Sequence, residues 1–296
     1  MGTVDLPRHH YKNEIMQRLL LLALFILPLD LFGQEQTKGP KNGHLIIAGG
    51  ALRDTSVFNK FIELSGGTGE AHVVVIPTAG GYIVTEERKN GLIRQWKNRG
   101  AKQVTILHTT DPKEANTEAF ADIIDEAGGA YFLGGRQWRL ADSYLNTRVH
   151  QKLNDLLSRG GVIGGSSAGA TIQGSYLARG DTKTNTIMMG DHEEGLAFVQ
   201  NIAIDQHTLA RNRQYDMFEI LAVYPDLLGI SIDENTAILV SGDTFEVIGQ
   251  SYVLIYDGTH WDQKLGEYVK NKPNQDRFHL LKEGRVYNMK SREVIR

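Results

Sequence analysis

Cysteine is absent from this chain of 296 residues. Its absence excludes disulfide bonds, zinc sites built from thiolates and a catalytic cysteine nucleophile. Serine must therefore carry any covalent chemistry of the acyl-transfer kind. This exclusion directs attention to serines that lie in an unusual local sequence.

An excess of charge of either sign is also absent. The chain has 32 lysines and arginines against 35 aspartates and glutamates, a formal net charge of −3. Such a balance gives no basic stripe for nucleic acid and no acidic tail. With 41% hydrophobic and 23% charged residues, the composition is that of a globular protein long enough for one large α/β domain. We therefore expect no nucleic-acid partner.

Long hydrophobic runs are missing as well. The N-terminal apolar run 19–29 has eleven residues and is interrupted late by a proline. A membrane-spanning helix needs about 20 apolar residues, so this run fits the hydrophobic region of a secretory signal better, with a buried helix as the alternative. We interpret 1–33 as an N-terminal extension plus signal peptide, with Met16 as an alternative start, and 34–43 as a polar spacer. The mature bacterial protein is expected to be exported, without a lipoprotein anchor or membrane contact.

From residue 44 onward, short apolar runs alternate with amphipathic helical patterns. The predicted strands are 45–48, 73–76, 104–107, 130–133 and 162–163, and the predicted helices are 57–64, 86–99, 114–127 and 140–157. Apolar runs without polar alternation, separated by helices, predict a mostly parallel central sheet flanked by helices. Ligands of such α/β folds bind at the carboxyl edge of the sheet. We therefore look for functional residues where the predicted strands end.

After about residue 230 the pattern changes to β-hairpins. Two runs, 237–240 and 245–248, flank the turn 241–243, and a further run covers 252–256. Glu283-Gly284 indicates another hairpin near the C-terminus. Residues 44–296 are therefore predicted to form a single α/β domain with C-terminal β-hairpin additions.

The segment 165–169 reads Gly-Ser-Ser-Ala-Gly and follows a predicted strand. This G-x-S-x-G pattern at a strand–helix junction is typical of a nucleophile elbow, which presents Ser167 above the sheet. The following helix N-terminus favours negative charge there. The N–H of Ala168 is the expected first oxyanion donor, and Gly135, just after the strand 130–133, is the candidate for the second. A plain turn is the alternative interpretation.

A serine nucleophile needs a general base. Among the ten histidines, His207 ends a strand-like segment, 201–207, and Arg211 and Arg213 follow it at once. His108 also ends a predicted strand and remains an alternative. We predict that His207 is the base, although a lone histidine is more often structural.

The orienting acid is predicted in 229–235, a strand that delivers carboxylates at its end. Asp233 and Glu234 project to opposite faces of a strand, so only one of them can orient the base. The residues alone leave both open, and a solvated acidic turn is the alternative interpretation.

Signals for a cofactor or a metal are weak. Gly49-Gly50 lacks the full dinucleotide fingerprint, and no Walker pattern is present. The acidic segment 191–194 has side chains that bind metals, but a contiguous acidic loop is usually solvated. We expect neither a cofactor nor a metal.

With these residues assembled, the chain resembles cyanophycinase and its relatives among the serine peptidases, which include the aspartyl dipeptidases. The matching segments are, in chain order, IIAGGA (46–51), VVVIPTAGG (73–81), YFLGGRQ (131–137), GGSSAGA (164–170), DQHTLARNR (205–213) and GISIDENTA (229–237). The resemblance implies an α/β fold related to class I glutamine amidotransferases and flavodoxin-like proteins. It implies a triad of Ser167, His207 and Glu234, which selects Glu234 over Asp233. It also implies substrate contacts by Gln137, Asp205, Gln206, Arg211 and Arg213.

Two residues depart from the pattern of this family. Arg136 stands where cyanophycinases have an aspartate, and Asp216 stands where they tend to have a third arginine. A buried charge without a partner costs about 3–5 kcal/mol, so a substrate pocket should respond strongly to both changes. The chemistry is expected to be retained, and the substrate is expected to be the more variable part.

The sequence thus predicts an exported serine exopeptidase that cleaves aspartyl peptide bonds and degrades cyanophycin, multi-L-arginyl-poly-L-aspartate, to dipeptides. An aspartyl dipeptidase acting on small peptides and a non-catalytic peptide-binding protein are the alternatives. An esterase of the α/β-hydrolase type is disfavoured, because those enzymes run serine, acid, histidine along the chain. A homodimer remains an open alternative.

Overall fold

Two β-sheets form the framework of the computed structural model, which describes residues 1–2, 37–81, 83–258 and 278–296. Residues Thr37–Arg296 form one compact unit. Apart from its first two residues, the predicted extension and signal peptide, 1–33, lies outside the described residues and stays a prediction.

The first sheet contains the five strands predicted from the apolar runs. They are β1 (His44–Ala48), β2 (His72–Ile76), β3 (Gln103–Ile106), β4 (Gly129–Phe132) and β5 (Val162–Ser166). All of them pair in parallel, in the order β1-β5-β4-β2-β3. The predicted α/β fold with mostly parallel central strands is therefore confirmed.

Antiparallel strands extend this sheet on the far side of β1. They are β8 (Thr236–Ser241), β9 (Thr244–Gly249), β12 (Val286–Asn288) and β13 (Glu293–Val294), in the order β13-β12-β9-β8-β1. The predicted hairpin of 237–240 and 245–248 is confirmed as β8 and β9.

The second sheet was not predicted. It contains β6 (Ile202–Gln206), β7 (Leu228–Ile232), β10 (Val253–Asp257) and β11 (Phe278–Leu281), in the order β11-β10-β7-β6. The hairpin expected at Glu283-Gly284 is wrong, because β11 pairs with β10 in this sheet while β12 pairs with β9 in the first. Local sequence identifies a strand, but it does not identify the strand's partner.

Helices cover both faces of the first sheet and the outer face of the second. They are α1 (Thr55–Leu64), α2 (Glu86–Asn98), α3 (Pro112–Ala115), α4 (Glu118–Ala121), α5 (Gln137–Tyr144), α6 (Arg148–Ser158), α7 (Ala168–Thr171) and α8 (Met217–Val223). Within the described part of the chain, no helix is long and apolar enough to cross a membrane.

Two predicted helices are each interrupted. The helix expected at 140–157 divides into α5 and α6, because Asn146 adopts a left-handed conformation (φ 59°) and the Thr147 side chain accepts the N-cap hydrogen bond of α6. The helix expected at 114–127 divides at Thr117. The backbone of Thr117 is extended and its hydroxyl donates to the Glu114 carbonyl oxygen, and both features terminate α3. Side chains that bind nearby backbone groups compete with helix continuation in this way.

The parallel strands separate two cores, since successive side chains point to opposite faces. In β1, Leu45 and Ile47 face a core shared with α5, α6 and the second sheet, whereas Ile46 and Ala48 face α1 and α2. The second sheet is therefore fixed against the first by a continuous apolar interface. The outer side of this second sheet is covered by α8.

An aromatic cluster anchors α1 and α2 to the first sheet. The Trp96 ring centroid lies 4.8 Å from that of Tyr131 and 5.3 Å from that of Phe61, and Trp96 is fully buried. Gly164 on β5 makes room for this cluster, since a Cβ there would lie 2.6 Å from a Tyr131 ring carbon. Ring pairs in such geometry contribute beyond their buried area.

We predict that Trp96→Ala lowers the free energy of unfolding by about 3–5 kcal/mol, because it leaves a large cavity in this cluster. Trp96→Phe should lose less than half as much. The Nε1 of Trp96 has no hydrogen-bond partner among the described residues, so phenylalanine forfeits packing only. Urea unfolding of the two variants and the wild type measures the difference. No loss in Trp96→Ala would show that the cluster does not hold the helices.

Candidate active site

Ser167 lies between the end of β5 and the start of α7. Its backbone adopts φ 57° and ψ −117°, a conformation that non-glycine residues rarely take. The flanking glycines are required by space: a Cβ on Gly165 would overlap the Gly169 carbonyl, and one on Gly169 would overlap the Phe132 carbonyl. This strand–helix turn has the strained geometry of a nucleophile elbow.

The second sheet brings a histidine and a glutamate to this serine. His207 follows β6 and Glu234 follows β7, the parallel neighbour of β6. His207 Nε2 lies 2.9 Å from Ser167 Oγ, and His207 Nδ1 lies 2.6 Å from Glu234 Oε1. The structure thus places the three predicted triad residues in one hydrogen-bonded chain, which is the arrangement that activates a serine hydroxyl.

The end of β1 joins the three segments that carry these side chains. The carbonyl oxygen of Ala48 accepts from Ser167 N at 3.0 Å, that of Gly49 from His207 N at 3.1 Å, and that of Gly50 from Asn235 N at 2.9 Å. A Cβ on Gly50 would overlap the His207 ring. Gly49-Gly50 was not predicted to have this role. Its position just after a predicted strand, at the carboxyl edge, was the available signal for this role.

Asp233 is turned away from His207. Its carboxylate accepts hydrogen bonds from the backbone N–H groups of Leu209 and Ala210, both at 2.9 Å, and from the Ser251 hydroxyl at 2.6 Å. Asp233 therefore holds the loop that follows His207, while Glu234 contacts the imidazole. This division follows from the opposite directions of neighbouring side chains on an extended segment.

The environment favours a neutral imidazole at His207. Burial is the main cause that lowers its pKa from the ordinary value of 6.5, and the Arg211 and Arg213 cations lower it further. The hydrogen bond to Glu234 acts in the opposite direction without outweighing these causes. A histidine that is neutral near pH 7 is ready to accept a proton.

Of the two predicted oxyanion donors, Ala168 directly follows the serine, and Gly135 follows a glycine that approaches it. Ala168 begins α7, so its N–H has no acceptor within that helix. Gly134 approaches the nucleophile closely, since a Cβ there would lie 3.2 Å from Ser167 Cβ. The next residue, Gly135, has φ 148°, and a Cβ on it would overlap the Ala79 carbonyl. The oxyanion roles of Ala168 and Gly135 stay predictions.

The first three predicted substrate contacts are buried. Gln137 is 1% exposed and its Nε2 donates to the carbonyl oxygens of Ala178 and Arg179, both at 2.8 Å. Asp205 is fully buried and paired with Arg179. Gln206 is 4% exposed, and its Oε1 has no partner among the described residues. Their contact with substrate stays a prediction.

The two predicted arginines differ in exposure. Arg211 is exposed, whereas Arg213 is only 7% exposed. The Arg213 guanidinium donates to the Gln206 carbonyl oxygen at 3.3 Å, and no described carboxylate forms an ion pair with it. Burial and the neighbouring Arg179 cation lower the pKa of Arg213. The Asp205 and Asp216 carboxylates act on this pKa in the opposite direction. A buried cation that forms no direct ion pair with a described carboxylate is a suitable place for a substrate carboxylate.

The two residues that depart from the family pattern both contact one loop, residues 178–187. Arg136 Nη2 donates to the carbonyl oxygens of Asp181 and Thr184, at 2.6 and 2.7 Å. Asp216 pairs with Arg179 at 2.6 Å. Burial acts to lower the pKa of Arg179, but the Asp205 and Asp216 carboxylates outweigh it and raise the pKa above its ordinary value. Sequence analysis missed Arg179, for which a single sequence holds no signal.

The remaining candidates lie in other surroundings. His108 Nδ1 contacts the Thr78 hydroxyl at 2.9 Å. In the acidic segment 191–194, Asp191 accepts from the Thr182 backbone and hydroxyl, and His192 contacts Asp142. Within the described ranges, no three histidine, aspartate or glutamate side chains are grouped so that they could hold a metal ion.

The chain is similar to known peptidases in sequence and in fold. Cyanophycinase from Geminocystis herdmanii is 26% identical over 263 residues, covering 85% of this chain and 95% of that protein. Cyanophycinase from Synechococcus elongatus is 28% identical over 307 residues, covering 96% of this chain and 93% of that protein. The crystal structure of a peptidase from an acI-B1 actinobacterium has the same fold, with a TM-score of 0.60 at 23% identity, covering 85% of this chain and 98% of that one.

A sequence model of one peptidase family matches most of the region that contains the site. It is the model of peptidase family S51, and the match covers residues 45–248. This stretch includes the elbow at Ser167, His207 and Glu234. Because the match covers well over half of the chain, the protein belongs to peptidase family S51 and is a serine-type hydrolase.

Proposed function

We propose that the protein is a serine exopeptidase that hydrolyses aspartyl peptide bonds, with cyanophycin and β-aspartyl dipeptides as its substrate class. The hydrogen-bonded chain from Ser167 through His207 to Glu234 carries this proposal, because it supplies nucleophile, base and orienting acid in order. The similarity to two proteins named cyanophycinase supports the substrate class.

In the first half of the reaction, Ser167 Oγ attacks the scissile carbonyl carbon while His207 Nε2 takes the hydroxyl proton. The carbonyl π electrons move to oxygen, and the N–H groups of Ala168 and Gly135 stabilise that oxyanion. Glu234 accepts a hydrogen bond from His207 Nδ1–H and stabilises the imidazolium that forms. When the C–N bond breaks, His207 returns the proton to the leaving amine.

In the second half, water replaces the amine. His207 takes a proton from the water as its oxygen attacks the acyl-enzyme, and the proton passes to Ser167 Oγ when the ester bond breaks. The product acid leaves and the starting state is restored. Every proton transfer uses the same imidazole nitrogen, so a neutral His207 is required at the start of each half.

Arg211 and Arg213 supply the binding groups for substrate carboxylates, because guanidinium groups match carboxylates with two parallel hydrogen bonds. An aspartyl dipeptidase that acts on small peptides is the second candidate. It is favoured by Arg136 and Asp216, because both differ in charge from the residues that the cyanophycinase pattern has at these positions. Export of the mature protein is part of the proposal and is supported by the apolar run 19–29.

We predict that Ser167→Ala lowers kcat on the order of 10⁴-fold or more, because no other group can form the acyl-enzyme. A serine-reactive phosphonate should label the wild type and leave Ser167→Ala unlabelled, as read by mass spectrometry. Turnover by Ser167→Ala at the wild-type rate would refute the mechanism.

Glu234→Gln and Asp233→Asn form a matched pair, since each removes one charge from neighbouring positions. Glu234→Gln should lower kcat by about 10³–10⁴-fold without lowering the Tm, because the imidazole loses its orienting anion. Asp233→Asn should lower the Tm and change kcat less, because its carboxylate holds backbone N–H groups. Steady-state kinetics and thermal melts of both variants measure these effects. A large kcat loss in Asp233→Asn together with a small one in Glu234→Gln would make Asp233 the orienting acid.

The acid limb of the kcat/KM profile should have its midpoint below pH 6.5, since the pKa of His207 is lowered and activity requires the neutral ring. Activity is lost as the pH falls through that pKa. Arg211→Gln removes a cation that lowers the pKa and should move the midpoint to higher pH. Glu234→Gln should move the midpoint to lower pH. The pH profiles of the wild type and the two variants should therefore show shifts in opposite directions. Shifts in one direction would contradict this electrostatic account.

Substrate scope is tested with the purified protein on cyanophycin, β-Asp-Arg, α-Asp-Arg and β-Asp-Leu, each with Ser167→Ala as the control. Release of dipeptides from cyanophycin would support the polymer-degrading activity, and cleavage of dipeptides alone would support the dipeptidase. No turnover of any substrate, combined with no phosphonate labelling, would leave a peptide-binding protein as the explanation.

A further inference from the structure

The guanidinium of Arg179 lies between two carboxylates beside the triad. Its Nε and Nη2 donate to the two oxygens of Asp205 at 2.7 and 2.8 Å, and Nη2 also donates to Asp216 at 2.6 Å. Its Nη1 donates to the carbonyl oxygens of Asn185 and Thr186. Arg179 is 1% exposed and Asp205 is fully buried. Arg179 thus uses all three nitrogens inside the protein.

Both carboxylates belong to the segment that carries the base. Asp205 precedes His207 by two residues on β6, and Asp216 follows Arg213 by three. The carboxylates of Asp205 and Asp216 are therefore already hydrogen-bonded to Arg179 of the same chain. Arg211 and Arg213 have no ion pair with any described carboxylate, and they face the site as cations.

The loop that carries Arg179 is fixed from several sides. Gln137 donates to the carbonyl oxygens of Ala178 and Arg179, and the Arg179 N–H donates to Met188. Arg136 binds the same loop further along. The backbone of Arg179 is held in a left-handed conformation with φ 58°, which persists only where the surroundings determine it. The guanidinium is therefore a fixed part of the site.

We propose that Arg179 is a specificity-determining residue. Its guanidinium occupies the carboxylates of Asp205 and Asp216, which lie in the segment that carries His207, so the enzyme prefers aspartyl peptides that carry no arginine. This inference rests on the proposed function and favours its second candidate, the aspartyl dipeptidase, over degradation of the arginine-branched polymer. A substrate guanidinium binds most strongly to a carboxylate with two free oxygens. Both oxygens of Asp205 are taken, and the remaining cations repel a guanidinium and attract carboxylates. The favoured substrates are β-aspartyl peptides whose second residue is neutral or acidic.

The wild-type enzyme provides the first test, with kcat/KM measured for β-Asp-Leu, β-Asp-Glu and β-Asp-Arg. We expect kcat/KM for β-Asp-Arg to be at least about tenfold lower than for the other two peptides, because the cations of the site repel the substrate guanidinium. Equal or better turnover of β-Asp-Arg overturns the inference. Absence of turnover for all three peptides instead counts against the proposed function, so the two failures are distinguishable.

Arg179→Ala frees the carboxylates of Asp205 and Asp216 and should shift the selectivity ratio toward β-Asp-Arg by at least about tenfold. Arg179→Lys, which keeps a cation between the acids, should retain the wild-type preference. Arg159→Ala is the matched control, because it removes a guanidinium that binds backbone carbonyl oxygens elsewhere. A folded Arg179→Ala with the wild-type ratio would show that Arg179 is structural only.

A binding measurement tests the same position without turnover. Methylguanidinium at millimolar concentration should raise the Tm of Arg179→Ala and leave that of the wild type and Arg159→Ala unchanged. No effect on a folded Arg179→Ala would contradict a guanidinium position between Asp205 and Asp216. If Arg179→Ala does not fold, the wild-type selectivity still decides.

Discussion

Three consecutive carbonyl oxygens at the end of β1 determine the geometry of the whole site. Ala48, Gly49 and Gly50 accept from the N–H groups of Ser167, His207 and Asn235. One sheet supplies the nucleophile and the other supplies the base and the acid, so their spacing depends on this strand end. Backbone hydrogen bonds are short and directional, so the position of β1 fixes the segments that carry the side chains of Ser167, His207 and Glu234. Ala48, Gly49 and Gly50 are all buried at this strand end.

The sequence predicted those parts that depend on local pattern. The parallel strands and the elbow at Ser167 follow from short apolar runs and from glycines that only a tight turn requires. His207 and Glu234 were found because both end strands. Choosing Glu234 over Asp233 needed more than the residues, because the pleat alone allows either. The second sheet was missed, because β7 pairs with β6 and with β10, which are both distant from it along the chain.

Arg179 shows the same limit at the level of side chains. Its partners Asp205 and Asp216 are 26 and 37 residues away along the chain. No spacing rule connects them, and each alone resembles an ordinary charged residue. The family resemblance identified Arg136 and Asp216 as departures without explaining them. The structure gives both a partner in loop 178–187: Arg136 donates to backbone carbonyl oxygens, and Asp216 pairs with Arg179.

The left-handed backbone of Ser167 is one of several in the site, with φ 54° at both His207 and Asn235. Each such residue costs about 1–3 kcal/mol, which the surrounding fold must offset. Conformational energy is thus stored in the same three segments that β1 holds in place. Local unfolding of this region should release that energy and occur more readily than unfolding of the strands. A mutation that weakens the hydrogen bonds at the end of β1 would therefore erode the catalytic geometry before the fold itself is lost.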